Sequence, residues 1–291
     1  MSHVDLAIKD YGVSFGNSPG INGLRINWRD KDLEFVNGIN FTVWKPDDNP
    51  DATITGVAFG IAGPEAETIN GFGIGLGAVK ADRIRGYGIG LIGVAVDDLR
   101  GIGFGGIGLA TENLDGIGIG LIGVASESVH GIAVGGLGLA VEEFQGIGIG
   151  GLGLAAERVD GIVFGGLGVA CEEINGGAIA LLGVAAEDVH GLALAGLGLA
   201  VENHHGIAFA GLGVAAEDVH GALITVGGVD CEDLYGLTVG SYTRVRGVQH
   251  GLNIGIFNRA AELHGVQLGV INIAHNNHGL WKVLPVFNFH K

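Results

Sequence analysis

Residues 101–145 read GIGFGGIGLATENLD, GIGIGLIGVASESVH and GIAVGGLGLAVEEFQ, which are three consecutive copies of one 15-residue block. The same frame runs from Gly71 to Tyr235, with glycine at the first position of every block. A short fixed period indicates one structural unit in tandem copies, each of which buries its apolar face only by stacking on its neighbours. The period therefore predicts a repeat architecture.

Composition narrows the class of protein. Glycine accounts for 58 of 291 residues without a Gly-X-Y triplet, which excludes collagen. A hydrophobic content of 47% and a mean hydropathy of +0.44 indicate a packed chain rather than a disordered one. The formal net charge of −16 disfavours nucleic acid and anionic headgroups as partners. No apolar run approaches the roughly 20 residues of a transmembrane helix, and the polar opening MSHVDLAIKD does not resemble a signal peptide.

The block alternates in size and polarity, which is typical of strands. With the first glycine as position 1, large apolar residues mostly occupy positions 2, 4, 7 and 9, small residues occupy 1, 3, 5, 8 and 10, and 11–13 are polar. The alternation shifts by one residue between positions 5 and 6: the large apolar residues stand at even positions before this point and at odd positions after it. Two interpretations follow: one long strand per block in an antiparallel membrane β-barrel, or two short strands per block forming one coil of a parallel β-solenoid.

The solenoid explains the single period better. A barrel would need a bulge at the same place in every strand and two kinds of turn, one at each rim. We therefore predict an all-β, parallel β-solenoid of about seventeen 15-residue coils over residues 23–278, with a Gly/Ala-rich centre at 71–235. Residues 1–22 and 279–291 are predicted to be terminal caps, with Trp281, Phe287 and Phe289 plugging the last coil.

The outer blocks suggest which positions face outward. There, polar residues enter positions 3 and 8 while positions 2, 4 and 7 stay mostly apolar; the polar residues are Arg25, Asn40, Asn253, Asn258, Gln267 and Asn272. This pattern predicts a core at positions 2, 4, 7 and 9 and a side-chain-poor exterior at 3, 5 and 8. Such an exterior is predicted to be an interface with a second copy of the protein, an acyl chain or a membrane. Its predicted residues are Gly103, Gly118, Ala133 and Gly148 at position 3 and Gly123, Gly138 and Gly153 at position 8.

Two polar columns are candidate cation sites. Position 12 is acidic in twelve consecutive blocks: Glu67, Asp82, Asp97, Glu112, Glu127, Glu142, Glu157, Glu172, Glu187, Glu202, Glu217 and Glu232. Position 15 carries several histidines, and His190, His205 and His220 are predicted to form a ladder beside Glu187, Glu202 and Glu217. These six residues are the candidate metal ligands; a solvated turn and a polar corner are the alternatives.

No catalytic arrangement is recognisable, and no cofactor is predicted. The G-x-G runs belong to a strand repeat, not to one glycine-rich loop that opens a helix. In a stack with strands about 4.8 Å apart, Cys171 and Cys231 would lie four coils, roughly 19 Å, from each other, which is too far for a disulfide. Both thiols are therefore expected to be free.

The segment GLNIGIFNRAAELHGVQLGVINIA (251–274), followed by VFNF (286–289), resembles a bacterial family of glycine-rich surface repeat proteins with G-x-x-x-G-x-x-N-x-A units. The resemblance covers about forty residues. It implies a bacterial cell surface, outer-membrane or secreted setting, without an established enzymatic role.

These observations together predict a non-enzymatic structural or interaction protein that forms homo-oligomers. The alternative is a membrane-embedded barrel or pore in which the large apolar residues contact lipid. A hydrolase that uses the carboxylate column is a third hypothesis, disfavoured because twelve copies of one acid do not single out a catalytic residue.

Overall fold

The computed structural model describes residues 3–47, 49 and 51–291. The chain divides into two compact units, Met1–Gly150 (unit 1) and Gly151–Lys291 (unit 2). Each unit is a parallel β-solenoid, and the two units together contain about seventeen coils. The predicted fold class is therefore confirmed.

Unit 1 contains eleven strands in the part of the chain that the structure describes: β1 (His3–Ile8), β2 (Tyr11–Gly16), β3 (Gly20–Asn27), β4 (Phe35–Thr42), β5 (Thr53–Gly60), β6 (Glu65–Gly75), β7 (Ala78–Gly90), β8 (Gly93–Gly105), β9 (Gly108–Gly120), β10 (Gly123–Gly135) and β11 (Gly138–Gly150). From β2 onward successive strands pair in parallel. Gly123 pairs with Gly108 on one side and Gly138 on the other, so each repeat position stacks on itself. The antiparallel alternative is wrong for this reason.

Unit 2 continues the same plan with β12 (Gly153–Gly165), β13 (Gly168–Ala180), β14 (Gly183–Ala195), β15 (Gly198–Ala210), β16 (Gly213–Thr225), β17 (Gly228–Cys231), β18 (Asp233–Val239), β19 (Tyr242–Ile254), β20 (Phe257–Ala274), a 3-10 helix (Gly279–Lys282) and β21 (Val283–His290). Its inner strands also pair in parallel at the fifteen-residue offset. Within β19 and β20 the register shifts between Val245 and Val248, where the block length departs from fifteen.

Each coil has three short sides because the inward–outward alternation of its residues is interrupted at three corners. At positions 12 and 13 two successive residues, such as Glu127 and Ser128, both avoid the interior. Position 1 is a glycine with positive φ, as in Gly131 at 136°, where a Cβ would lie 2.1 Å from the carbonyl oxygen of Gly116. The third corner is the bend at positions 6 and 7. A side chain at position 1 is therefore excluded by conformation and by the neighbouring coil.

The core is formed by positions 3, 5, 9, 11 and 14. The prediction that positions 2, 4 and 7 are inside and positions 3 and 5 outside is wrong, whereas position 9 is inside as predicted. Leucine and valine from positions 9 and 14 fill the narrow interior. A Cβ on Gly118 would lie 2.6 Å from Cδ2 of Leu114 and 2.7 Å from Cδ2 of Leu109. The side of the coil that contains positions 3 and 5 is consequently lined mostly by glycine and alanine, because little space remains inside.

Polar residues near both ends also face inward, contrary to the prediction. The side chains of Arg25, Asn40, Asn253, Asn258, Gln267 and Asn272 are completely buried. Arg25 is paired with Asp30 and donates to Oδ1 of Asn40 at 2.9 Å. In unit 2, Nδ2 of Asn258 donates to Oδ1 of Asn272 at 2.8 Å. These hydrogen bonds join stacked coils, whereas both polar side-chain atoms of Asn253 are buried without a partner among the described residues. Polarity at a repeat position therefore does not indicate exposure.

Antiparallel strands cover the first and last parallel strands. β1 pairs antiparallel with β2, and β21 pairs antiparallel with β20. Trp281, Phe287 and Phe289 are all exposed, so the prediction that they plug the last coil is wrong. The buried residue of β21 is Asn288, whose Oδ1 accepts from Nδ2 of Asn277 at 2.8 Å.

Candidate interaction surface

The residues predicted to form an interface fall into two groups. The four at position 3 are buried in the core, which makes an intermolecular role for them wrong: Gly103, Gly118, Ala133 and Gly148. The three at position 8 are half-buried where a new strand begins: Gly123, Gly138 and Gly153. At position 3 the small side chains do allow close approach, but the atoms that approach Gly118 are those of Leu114 and Leu109 inside the same chain and not those of another surface.

The outside of each coil at positions 2, 4, 6 and 7 is apolar, and we call this surface the apolar side. Between residues 71 and 150 it contains thirteen exposed large side chains: Phe72, Leu76, Tyr87, Ile89, Leu91, Ile92, Ile107, Leu121, Ile122, Ile132, Leu137, Ile147 and Ile149. Scattered apolar residues are normal on protein surfaces, whereas a contiguous apolar area of this extent marks an interaction site.

Unit 2 has an apolar side of its own. Between residues 151 and 228 it contains twelve exposed large side chains: Leu152, Ile162, Phe164, Leu167, Leu181, Leu182, Leu192, Leu197, Ile207, Phe209, Leu212 and Val226. Position 4 of this side and the adjoining bend line a shallow groove of about 440 Å³. In each unit the apolar side therefore results from the repeat itself and is not a single irregular patch.

A larger groove lies next to the apolar side in unit 1. It has a volume of about 660 Å³ and extends from Ala78 to Ala140 along successive coils. One wall consists of the position-7 residues Ile107, Ile122 and Leu137, which are 54%, 50% and 49% exposed. The floor includes a column of exposed alanines at position 10, namely Ala95, Ala110, Ala125 and Ala140. A regular ridge therefore borders a regular, side-chain-poor groove.

The acidic column at position 12 lies on the polar part of each coil, with positions 13 and 15. Its carboxylates are stacked one strand apart and repel one another. The pKa of Glu112 is raised by the neighbouring carboxylates of Asp97 and Glu127, which belong to the preceding and following coils. Arg83 compensates part of this repulsion in unit 1 through an ion pair with Glu67 at 3.2 Å.

The predicted histidine ladder is confirmed, and it is longer than predicted. Successive ring centroids in unit 2 are separated by 4.9 Å for His190–His205, 4.7 Å for His205–His220, 4.7 Å for His220–Tyr235, 5.1 Å for Tyr235–His250 and 4.7 Å for His250–His264. The rings are stacked face to face. Nowhere in residues 3–47, 49 and 51–291 do three or more His, Cys, Asp or Glu side chains assemble into a group able to hold a metal ion.

The proposed metal ligands are therefore distributed along columns. His190, His205 and His220 stack on one another. Glu187, Glu202 and Glu217 precede them by three residues and lie exposed at the 12–13 corner. The arrangement does not support the metal-site hypothesis.

One titratable residue was not singled out from the sequence. His204 occupies position 14, which is apolar in the other central blocks, and it is completely buried. Neither ring nitrogen has a hydrogen-bond partner within the described residues. Burial, with a smaller contribution from His205 and His190, lowers the pKa of His204 to about 4. Its place in the repeat frame was the available signal, since a polar residue interrupts an otherwise apolar column.

The two thiols are free and buried, as expected from their spacing. Both occupy position 11, which faces the core. Burial raises the pKa of Cys171 to about 11 and the pKa of Cys231 to about 12. Neither thiol has the exposed, electropositive surroundings of a reactive cysteine.

Comparison of the chain with known protein families, with curated proteins and with solved structures finds no match. Among the described residues, no helix has the length and apolar character needed to cross a membrane.

Proposed function

We propose that this protein is a non-enzymatic structural or interaction repeat protein that binds another surface through its apolar side. The observation that carries the proposal is the columnar exposure of isoleucine, leucine and phenylalanine on one part of every central coil. Exposing so much apolar surface to water is unfavourable by roughly 25 cal/mol per Å². Covering this surface supplies the driving force for binding.

A non-enzymatic role is supported by the regularity of the polar groups. Carboxylates at position 12 and rings at position 15 recur in columns of equivalent residues. Active sites, in contrast, depend on a pair of titratable groups whose different surroundings give them different roles. His204, whose pKa is strongly lowered by burial, is sealed in the core and is inaccessible to a substrate.

The cellular setting that we propose is the bacterial surface or outer membrane, or the space outside the cell. The support is the resemblance of residues 251–274 and 286–289 to glycine-rich surface repeat proteins. Protease treatment of intact cells that express the protein tests this location. We expect digestion without cell lysis; protection until the cells are lysed would contradict a surface location.

Binding through the apolar side is tested with a charged variant, I107E/I122E/L137E. We expect the parent protein either to form a species larger than one chain or to adsorb to octyl-agarose or neutral lipid vesicles. The variant should do neither, because each carboxylate would have to be desolvated in the contact. A matched control, S128E/H130E/Q145E, adds three carboxylates on the polar part of the coils and should behave as the parent does. A parent protein that stays monomeric and adsorbs to neither material would contradict the proposal.

A further inference from the structure

We infer that the surface covering the apolar side of unit 1 is the same side of a second copy of this chain, with the ridge of each copy in the groove of the other. The ridge is Ile107, Ile122 and Leu137, and the groove is the adjoining 660 Å³ channel floored by the position-10 alanines. This inference rests on the proposed function, since it names the partner of the same surface.

The repeat distance is the first argument for a second copy. Neighbouring coils pair in register, so the ridge side chains and the groove alanines both recur at the strand spacing, about 4.8 Å. A ridge with one spacing fits a groove along its whole length only if the two spacings are equal. Another copy of the chain meets this condition at every coil, whereas a lipid surface offers no fixed spacing.

The available area is the second argument. Thirteen half-exposed side chains stand on the two sides of the bend at positions 6 and 7 between residues 71 and 150. At about 50 Å² each from the transfer free energy of such side chains, they give on the order of 650 Å² for both sides together. The alanines of the groove add to this value. Stable protein pairs bury about 800 Å² per partner. A contact that covers most of the apolar side therefore reaches the low end of the range for specific dimers.

The position of the charges is the third argument. Each chain carries a formal net charge of −16, so two copies repel each other at long range. The carboxylates of Glu112, Glu127 and Glu142 lie two residues beyond the position-10 alanines on the same strands, so they form the outer rim of the groove and belong neither to its floor nor to the ridge. At the rim of a contact between two copies these groups keep their water. The same charge disfavours an anionic membrane as the occupant.

The first experiment measures molar mass by light scattering and sedimentation equilibrium, in buffer without detergent and at low and high salt. We expect a dimer of the 29.6-kDa chain whose dissociation constant decreases as salt screens the repulsion. At high salt, where the added charge is screened, I107E/I122E/L137E should dimerise at least tenfold more weakly than the parent, and S128E/H130E/Q145E should match the parent. I107T/I122T/L137T provides a second variant with high strand propensity, and circular dichroism checks that each variant is folded.

The second experiment tests the ridge-in-groove contact itself. Ile122→Glu places a carboxylate on the ridge, and Ala125→Lys places an ammonium group in the groove. Each variant alone should dimerise weakly. A mixture should form the heterodimer at least tenfold more tightly than either variant forms a homodimer, because the opposite charges face each other.

The outcomes separate this inference from the proposed function. A parent that is monomeric in buffer but adsorbs to neutral vesicles through the ridge overturns the second copy and leaves the proposed function intact. A monomeric parent that adsorbs to nothing overturns both. Two results overturn the ridge-in-groove contact. One is a dimer that I107E/I122E/L137E does not weaken, and the other is a mixture of Ile122→Glu and Ala125→Lys that shows no preference for the heterodimer.

Discussion

Residue size at position 3 is coupled to the residue four places earlier, at position 14 of the preceding block. Gly103 follows Leu99 and Gly118 follows Leu114, whereas Val163 follows Val159 in unit 2. The relation is physical, because a Cβ on Gly103 would lie 2.5 Å from Cδ2 of Leu99. A large side chain at position 14 uses the space that position 3 would need.

This coupling predicts the outcome of a double-mutant cycle. Gly118→Val should lower the free energy of unfolding by about 2 kcal/mol through overpacking. Combining it with Leu114→Val should recover at least half of that loss, since the pair then matches Val159 and Val163. Urea unfolding of the parent, both single variants and the double variant measures the coupling. Additive effects would show that the two positions do not share one space.

His204 predicts a loss of stability in acid. Its pKa is about 4 in the folded chain and about 6.5 when unfolded, so above pH 6.5 neither state is protonated and the residue has no linkage effect. Between pH 6.5 and 4 the unfolded chain binds the proton and the folded chain does not. Stability therefore decreases by about 1.4 kcal/mol per pH unit, and by roughly 3 kcal/mol over the whole interval.

Replacing the buried imidazole tests this expectation. His204→Val restores the apolar residue found at position 14 of the neighbouring coils, Val189 and Val219. We expect it to remove most of the difference in urea midpoint between pH 7 and pH 4.5. His220→Gln, which changes an exposed ring of the ladder, is the control. Equal acid sensitivity of the parent and His204→Val would contradict the assignment.

At the level of the strand, the sequence predicted the stacking but not the faces. When the strands are parallel and in register, identical residues at one repeat position stack in a column. The histidine ladder of His190, His205 and His220 followed directly from this rule. The inward face could not be deduced from alternation, which has the same form viewed from either side. The three corners of the coil leave only one narrow interior, and Leu114 already occupies the space beside Gly118.

The acidic column predicts that salt stabilises the fold. The pKa of Glu112 is raised because Asp97 and Glu127 stand next to it in the column. Screening this repulsion should raise the melting temperature as ionic strength increases. Glu112→Gln should raise the melting temperature at low salt and reduce its dependence on salt, as measured by calorimetry. Gln145→Glu, which adds an exposed carboxylate at position 15, is expected to have the opposite effect. A melting temperature that is independent of salt would exclude significant repulsion in the column.

At the scale of the whole molecule, the terminal strands limit which edges remain free. β21 covers the edge of β20 from Gly265 to Ile273. A deletion of residues 279–291 removes this cover and exposes a row of unpaired backbone groups, which can template pairing with another chain. We expect the truncated protein to form fibres that bind thioflavin T and are visible by electron microscopy.

The truncation has a matched control in the full-length chain. Phe287 and Phe289 are exposed, so replacing both with serine removes apolar surface without removing the covering strand. This variant should remain free of fibres, as should the parent. Fibres from the control, or their absence from the truncated chain, would show that β21 does not protect the edge.

The equal length of the coils also has a genetic consequence. Tandem blocks in a gene can misalign during recombination, and the products gain or lose whole blocks. A chain changed by a multiple of fifteen residues keeps every glycine of position 1 above another, as Gly131 lies above Gly116. A change of another length keeps this stacking only where a loop or bulge absorbs it, as in the 18-residue step from Gly38 to Gly56; elsewhere it moves a side chain to a place where its Cβ would strike a carbonyl oxygen. Recombination can therefore lengthen or shorten this protein by whole coils, and each added coil folds through the same contacts as its neighbours.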